Sequence, residues 1–98
     1  MSDLIAPSLR ADVWLWRARF FKSRSAAAKL IEEGRVRHCA GGIETRLDKP
    51  ARLLRLGDSL VFASGERLIA VLVAGLGVRR GPPAEARTLY TPLGCGDS

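Results

Sequence analysis

A chain of 98 residues has room for one hydrophobic core, and its apolar fraction of 47% is enough to fill it, which excludes a multidomain layout and a body disordered throughout. Sixteen lysines and arginines face ten acids for a formal charge of +6, and thirteen of the cations are arginine, which grips phosphate in a bidentate fork and stacks on bases. Eight cations against three acids lie between Arg10 and Arg37, so the positive field belongs to the first third of the chain.

Residues 1–9 are expected to form a flexible arm, with Pro7 and Ser8 just before the first periodic segment. From Arg10 to about Phe21, the apolar residues Ala11, Trp14, Leu15 and Ala18 recur at helical spacing and predict a first helix. Arg10 and Arg17 share a second face of that wheel, and Asp12, Trp16 and Arg19 a third. Ser23 or Ser25 can cap a second helix, whose stripe of Ala26, Ala27, Leu30 and Ile31 packs on the first, and Gly34 is its left-handed stop. Lys22 and Arg24 fall at the turn between the two helices.

Past Gly34 the period changes to two. Val36, His38 and Ala40 share one face of a strand and Arg35, Arg37 and Cys39 the other, before Gly41 and Gly42 turn the chain back into Ile43–Thr45. Turn signals at Gly57-Asp58 and Ser64-Gly65 bracket strands over Ser59–Ala63 and Leu68–Val73. After Arg79-Arg80-Gly81-Pro82-Pro83, the residues Ala84, Glu85, Ala86, Leu89 and Tyr90 follow a short helical pattern, and 91–98 read as a flexible tail. The expected class is α+β: two packed N-terminal helices, a small twisted antiparallel sheet and a short C-terminal helix, all within residues 10–90.

The inventory for catalysis is thin. There is one histidine, the cysteines Cys39 and Cys95 lie far apart, and no phosphate loop, nucleophile elbow, zincin helix or dinucleotide fingerprint is present. His38 and Cys39 are strand neighbours that point to opposite faces, which is the wrong geometry for a metal pair, so no metal and no cofactor is expected. The chain reads as a non-enzyme. The sparse cysteines and the lack of a leading apolar run fit the cytoplasm, and the longest apolar stretch, Leu68–Leu76, is far short of the ~20 residues that span a bilayer.

Arg17, Arg19, Lys22 and Arg24 have no acid between Asp12 and Glu32 to offset them, and an ordinary solvated helix mixes signs. Such clustering favours an anionic partner, with nucleic acid first. Arg19 can instead brace Asp12 as an ion pair across two helix turns. Trp14 shares the core stripe, whereas Trp16 and Phe20 lie off it and fit either packing or base stacking.

The segments RADVWLWRARFFKSRSAAAKLIEEGRVR, DKPARLLRLGD and RRGPPAEARTLY occur in an order that resembles the S4-type RNA-binding domain, and within it a bacterial ribosome-associated heat-shock subgroup. The likeness rests on Arg10, Asp12, Trp14 to Trp16, Ala18 to Phe20, Lys22 to Arg24, Gly34, Val36, Lys49, Pro50, Gly57, Asp58 and Arg80 to Pro82, and spans about residues 9–90. It implies an S4-like (alpha-L motif) fold with an RNA-binding surface at Arg10, Arg17, Lys22, Ser23, Arg24, Arg35 and Arg37. As partners it implies ribosomal RNA and the large ribosomal subunit, in recycling of stalled subunits that still hold a nascent chain. Transfer RNA is a further candidate partner, no membrane is expected, and the free protein is expected to be a monomer.

Two other readings stand beside this one: a generic S4-type adaptor for transfer RNA or another ribosomal site, and a basic adaptor for acidic proteins or anionic surfaces. The sequence departs from the subgroup pattern at Ala11, where leucine is usual, and at His38-Cys39-Ala40, where Val-Asn-Gly is common. The subgroup also carries a basic C-terminal extension, whereas this sequence ends at Ser98.

Overall fold

A computed structural model describes residues 7–93. The elements in chain order are β1 (Ser8–Arg10), α1 (Ala11–Arg17), α2 (Arg24–Glu32), β2 (Val36–Ala40), β3 (Ile43–Leu47), β4 (Leu53–Arg55), β5 (Ser59–Ser64), β6 (Arg67–Val73), α3 (Pro83–Ala86) with a 3₁₀ turn over Arg87–Leu89, and β7 (Tyr90–Pro92). The class is α+β, as the periodicity implies.

The first helix stops four residues short of the expected Phe21. Its last turn is closed by the Arg19 N–H donating to the Trp16 carbonyl (3.0 Å) and the Phe20 N–H to the Leu15 carbonyl (3.1 Å), the paired bonds of a Schellman motif. Such a motif needs one left-handed residue, usually glycine. Here it is Arg19, with φ of 65°. That conformation costs a side-chain-bearing residue roughly 1 kcal/mol, and the two backbone bonds offset it.

The second helix uses the same device with the usual residues. Ser23 caps its start, its Oγ accepting from the Ala26 N–H at 3.1 Å, and Gly34 (φ 74°) closes its end while the Gly34 N–H donates to the Ile31 carbonyl. The positive φ calls for glycine there, and a substituent would also lie 3.1 Å from Cδ of Arg46, which would have to shift.

The main sheet is antiparallel throughout, in the order β3-β2-β5-β6-β7, and Gly41 and Gly42, both at positive φ, form the β2–β3 hairpin turn. Period-two alternation sends Val36 and His38 of β2, Leu60 and Phe62 of β5, and Val71 and Val73 of β6 to the buried face, where Trp14, Leu15, Ala27 and Ile31 of the helices complete one core. Phe20 belongs to that core. Its ring lies 4.6 Å from Tyr90, 5.3 Å from Phe62 and 6.1 Å from Trp14, while Phe21 packs 5.8 Å from Phe62. Trp14 is fully buried, and its indole N–H donates to the Gly75 carbonyl at 2.8 Å.

Three further expectations are corrected. Ser8 and Leu9, placed in the arm, are part of β1, which pairs with β4 so that Leu9 and Leu54 face inward together. Thr91 and Pro92, placed in the tail, pair with β6 as part of β7. Tyr90 is in that strand rather than in the last helix, because its ring is drawn into the Phe20 cluster. Residues 1–6 and 94–98, the rest of the arm and tail, lie outside the described residues, as does Cys95. Among the described residues no helix is long and apolar enough to cross a membrane.

Candidate nucleic-acid interface

Asp12 organises the cationic surface. It sits in the first turn of α1, where the helix dipole favours a carboxylate, and is almost fully buried. Arg10 binds it in a fork, Nε to Oδ1 at 3.2 Å and Nη2 to Oδ2 at 3.1 Å, and Nη2 of Arg24 approaches Oδ2 from α2 at 3.8 Å. Both arginine side chains remain about half exposed, at 48% and 50%. One buried acid therefore orients two guanidinia that keep free N–H donors toward solvent. Lys22 is exposed beside them and forms no ion pair among the described residues. Ser23 is also exposed; its oxygen is taken by the cap, which leaves the hydroxyl proton free to donate.

Arg35 and Arg37 lie past the other end of α2. That helix has nine residues, so at about 1.5 Å per residue it separates them from Lys22 by roughly 14 Å along its axis. Arg35 pairs loosely with Glu33 (3.8 Å), and Arg37, on the outer face of the sheet, with Glu44 (3.5 Å); both remain well exposed. The structure thus brings Arg10, Lys22, Ser23 and Arg24 into one patch and sets Arg35 and Arg37 apart as a second.

Arg17 has a different task. Its Nη1 donates to the carbonyls of Gly77 (2.8 Å) and Leu76 (3.4 Å), while its Nε is buried without a partner. The expected Arg19–Asp12 brace is also replaced: Nε of Arg19 donates to the Gly81 carbonyl at 2.6 Å, because the helix ends before Arg19 and turns its side chain away from Asp12. Arg80 answers from the opposite side. It donates to the carbonyls of Trp16 (3.0 Å) and Phe21 (3.3 Å) and lies over the Trp16 ring at 5.8 Å. These three arginines strap residues 76–81 onto the C-terminal end of α1 and hold the turn that displays Lys22. The sequence motif Arg80-Gly81-Pro82 marks the strap, but nothing local in it names Trp16 as the partner.

Residues 9–37, the stretch that holds both patches, match the family model of the S4 domain. Over a longer stretch the chain is similar to heat shock protein 15 of Escherichia coli, 36% identical over 90 residues that cover 92% of this chain and 64% of that protein. It is also similar to the heat shock protein 15 homolog of Haemophilus influenzae, 32% identical over 82 residues covering 84% and 59% of the two chains. The chain thus spans less than two thirds of the length of these relatives. A solved trimeric structure of heat shock protein 15 from Vibrio cholerae superposes with a TM-score of 0.78 at 29% identity, covering 89% of this chain and 83% of the other.

Proposed function

We propose that this protein binds structured RNA without catalysing a reaction, with Arg10, Lys22, Ser23 and Arg24 seating phosphates and Arg35 and Arg37 holding the backbone a helix length away. The observation that carries this reading is the pair of half-exposed guanidinia oriented by buried Asp12 beside Lys22, which forms no ion pair among the described residues, within the stretch that matches the S4 domain. Phosphate contacts of this kind fix register on a folded RNA, and shape supplies selectivity. Arg17 is left out of the contact set because its Nη1 already donates to two carbonyls and its Nε is buried.

The likeness to heat shock protein 15 favours ribosomal RNA on the large subunit in the cytoplasm as the target, in the recycling of stalled subunits that still carry a nascent chain. Co-sedimentation tests it: the protein should travel with large subunits, and preferring free transfer RNA would shift the reading to a generic adaptor. Partners that survive RNase treatment undiminished would point to a protein or anionic surface instead. The free protein is proposed to be a monomer, and analytical ultracentrifugation decides between that and a trimer like the Vibrio cholerae protein.

The residue-level test is salt dependence. With about six phosphates engaged, affinity for large-subunit RNA should fall ~10³-fold or more between about 50 and 200 mM salt, and Lys22→Ala with Arg24→Ala should flatten the slope by about two ions. An unchanged slope in the double variant would remove both residues from the interface.

A further inference from the structure

The segment between Asp48 and Gly57 carries Lys49, Arg52 and Arg55, all exposed, and none of them forms an ion pair among the described residues. It lies outside the stretch that matches the S4 domain, residues 9–37. Backbone bonds fix where it sits. The Arg52 N–H donates to the Lys49 carbonyl (3.0 Å) and closes a turn, and that turn caps α1: the Ala11 N–H donates to the Arg52 carbonyl (2.8 Å) and the Asp12 N–H to the Pro50 carbonyl (3.2 Å). The first amides of a helix have no partner within it, so this turn satisfies two donors that would otherwise be orphaned.

Past the turn, β4 pairs with β1 in the register Leu54 to Leu9 and Leu53 to Arg10. Since Leu9 and Leu54 face the core, alternation turns Arg10, Leu53 and Arg55 the other way. Arg10 is the residue tied through Asp12 to Arg24. The three cations of the segment therefore border the first patch and extend it.

Beyond Arg10 the segment forms one wall of an open cleft of about 530 Å³, with Ala51, Arg52, Leu53 and Arg55 on that side and His38, Ala40 and Gly41 of the β2–β3 hairpin on the other. The acid of the cleft is already engaged. Oδ2 of Asp58 is bonded to Nε2 of buried His38 at 2.8 Å and accepts the Arg55 N–H at 3.0 Å. The charged groups left with unused donors are the guanidinia of Arg52 and Arg55, so the cleft favours an anion. It is open rather than a closed cage, and the cations are spread along the chain, which suits a polyanion touched at several points better than a single phosphate.

We infer that the anion-binding surface continues from Arg10 and Arg24 across the 49–52 turn into this cleft, with Lys49, Arg52 and Arg55 as further contacts to the phosphodiester backbone of the same RNA. This rests on the RNA-binding reading above, and the test separates the two.

The full-length protein is titrated with purified large-subunit ribosomal RNA by filter binding between about 50 and 200 mM KCl. Lys49→Gln, Arg52→Gln and Arg55→Gln, made singly, should each lower the log–log salt slope by about 0.7–0.9, the value of one phosphate contact. Arg87→Gln removes an equal charge from an exposed site outside both patches and should leave the slope as it was. If the three variants bind like wild type while Lys22→Ala with Arg24→Ala loses slope, the extension is wrong and the RNA reading stands. If Arg87→Gln lowers the slope as much as they do, the effect is bulk charge and the extension is again wrong. Full displacement of the RNA by millimolar inorganic phosphate would show a small-anion seat and overturn the polyanion assignment. A wild-type protein with no salt-dependent RNA binding would remove the RNA reading itself.

Discussion

The two ends of α1 are both dressed with arginine and use it in opposite ways. At the N-terminal end Arg10 and Arg24 meet a buried carboxylate, and each keeps about half its side chain in solvent. At the C-terminal end Arg17, Arg19 and Arg80 meet backbone carbonyls of Leu76, Gly77, Gly81, Trp16 and Phe21. The helix dipole favours the acid at the start and, at the end, the Arg80 guanidinium on the Trp16 carbonyl. The lesson is that cation density alone does not mark a binding surface. What each guanidinium is already bonded to separates the cations of the proposed interface from those of the strap.

Several substitutions test this division, and the largest effect falls on the aromatic residue just past the C-terminal end of α1. Phe20→Ala should cost about 3 kcal/mol in urea unfolding, the low end for a phenylalanine removed from a core because its ring is only partly buried, and the RNA salt slope should be unaltered. A slope change at wild-type stability would make Phe20 a base-stacking residue after all. Arg80→Ala removes two charge-assisted bonds and the stack on Trp16, for a loss of about 2 kcal/mol. The variant should weaken RNA binding without reducing the number of ions released. A slope lower by one ion would move Arg80 from the strap to the interface and break the comparison.

Smaller shifts are expected at the edges of the strap. Arg19→Gly relieves the left-handed backbone but gives up the bond to Gly81, and the two effects nearly cancel, leaving stability within about 0.5 kcal/mol of wild type. A gain well above that would show the 2.6 Å bond contributes little. The smallest effect belongs to the exposed Arg79–Glu85 pair. The hydrogen bond from Arg79 holds the Glu85 carboxyl below its ordinary range. A depressed folded value means that this contact is present at neutral pH and is lost as pH falls through the lowered value, in acid. The Glu85 carboxyl titration followed by NMR should move upward in Arg79→Gln.

Much of the fold is legible in the sequence wherever a local signal carries it. Ser23, one of two serines able to cap it, and Gly34 delimit α2, Gly41-Gly42 dictates the hairpin, and alternation separates Val36 and His38 from Arg37, the structure burying the first pair. The end of α1 is not legible, because its left-handed residue is an arginine and nothing nearby distinguishes Arg19 from a helical one. The β1–β4 ribbon escapes for another reason. Each strand is three residues long, too short to show a period, and the two find each other only when Leu9 and Leu54 are buried together.

For the site, the same split holds. The clustering of arginine, the absence of intervening acid and the match to the S4 pattern all belong to the linear chain, and they mark Arg10, Lys22 and Arg24 without coordinates. The partner of each cation does not. Asp12 is five residues from Arg17 and seven from Arg19 in the chain, yet it is bonded to Arg10 and lies against Arg24, whereas the partners of Arg17 and Arg19 lie about sixty residues away. Sequence fixes charge, periodicity and caps, which act over a few residues. Only packing brings the 49–55 turn and the 76–81 strap against opposite ends of one helix, because the core and the unpaired amides and carbonyls of that helix must be satisfied by whatever the rest of the chain delivers to them.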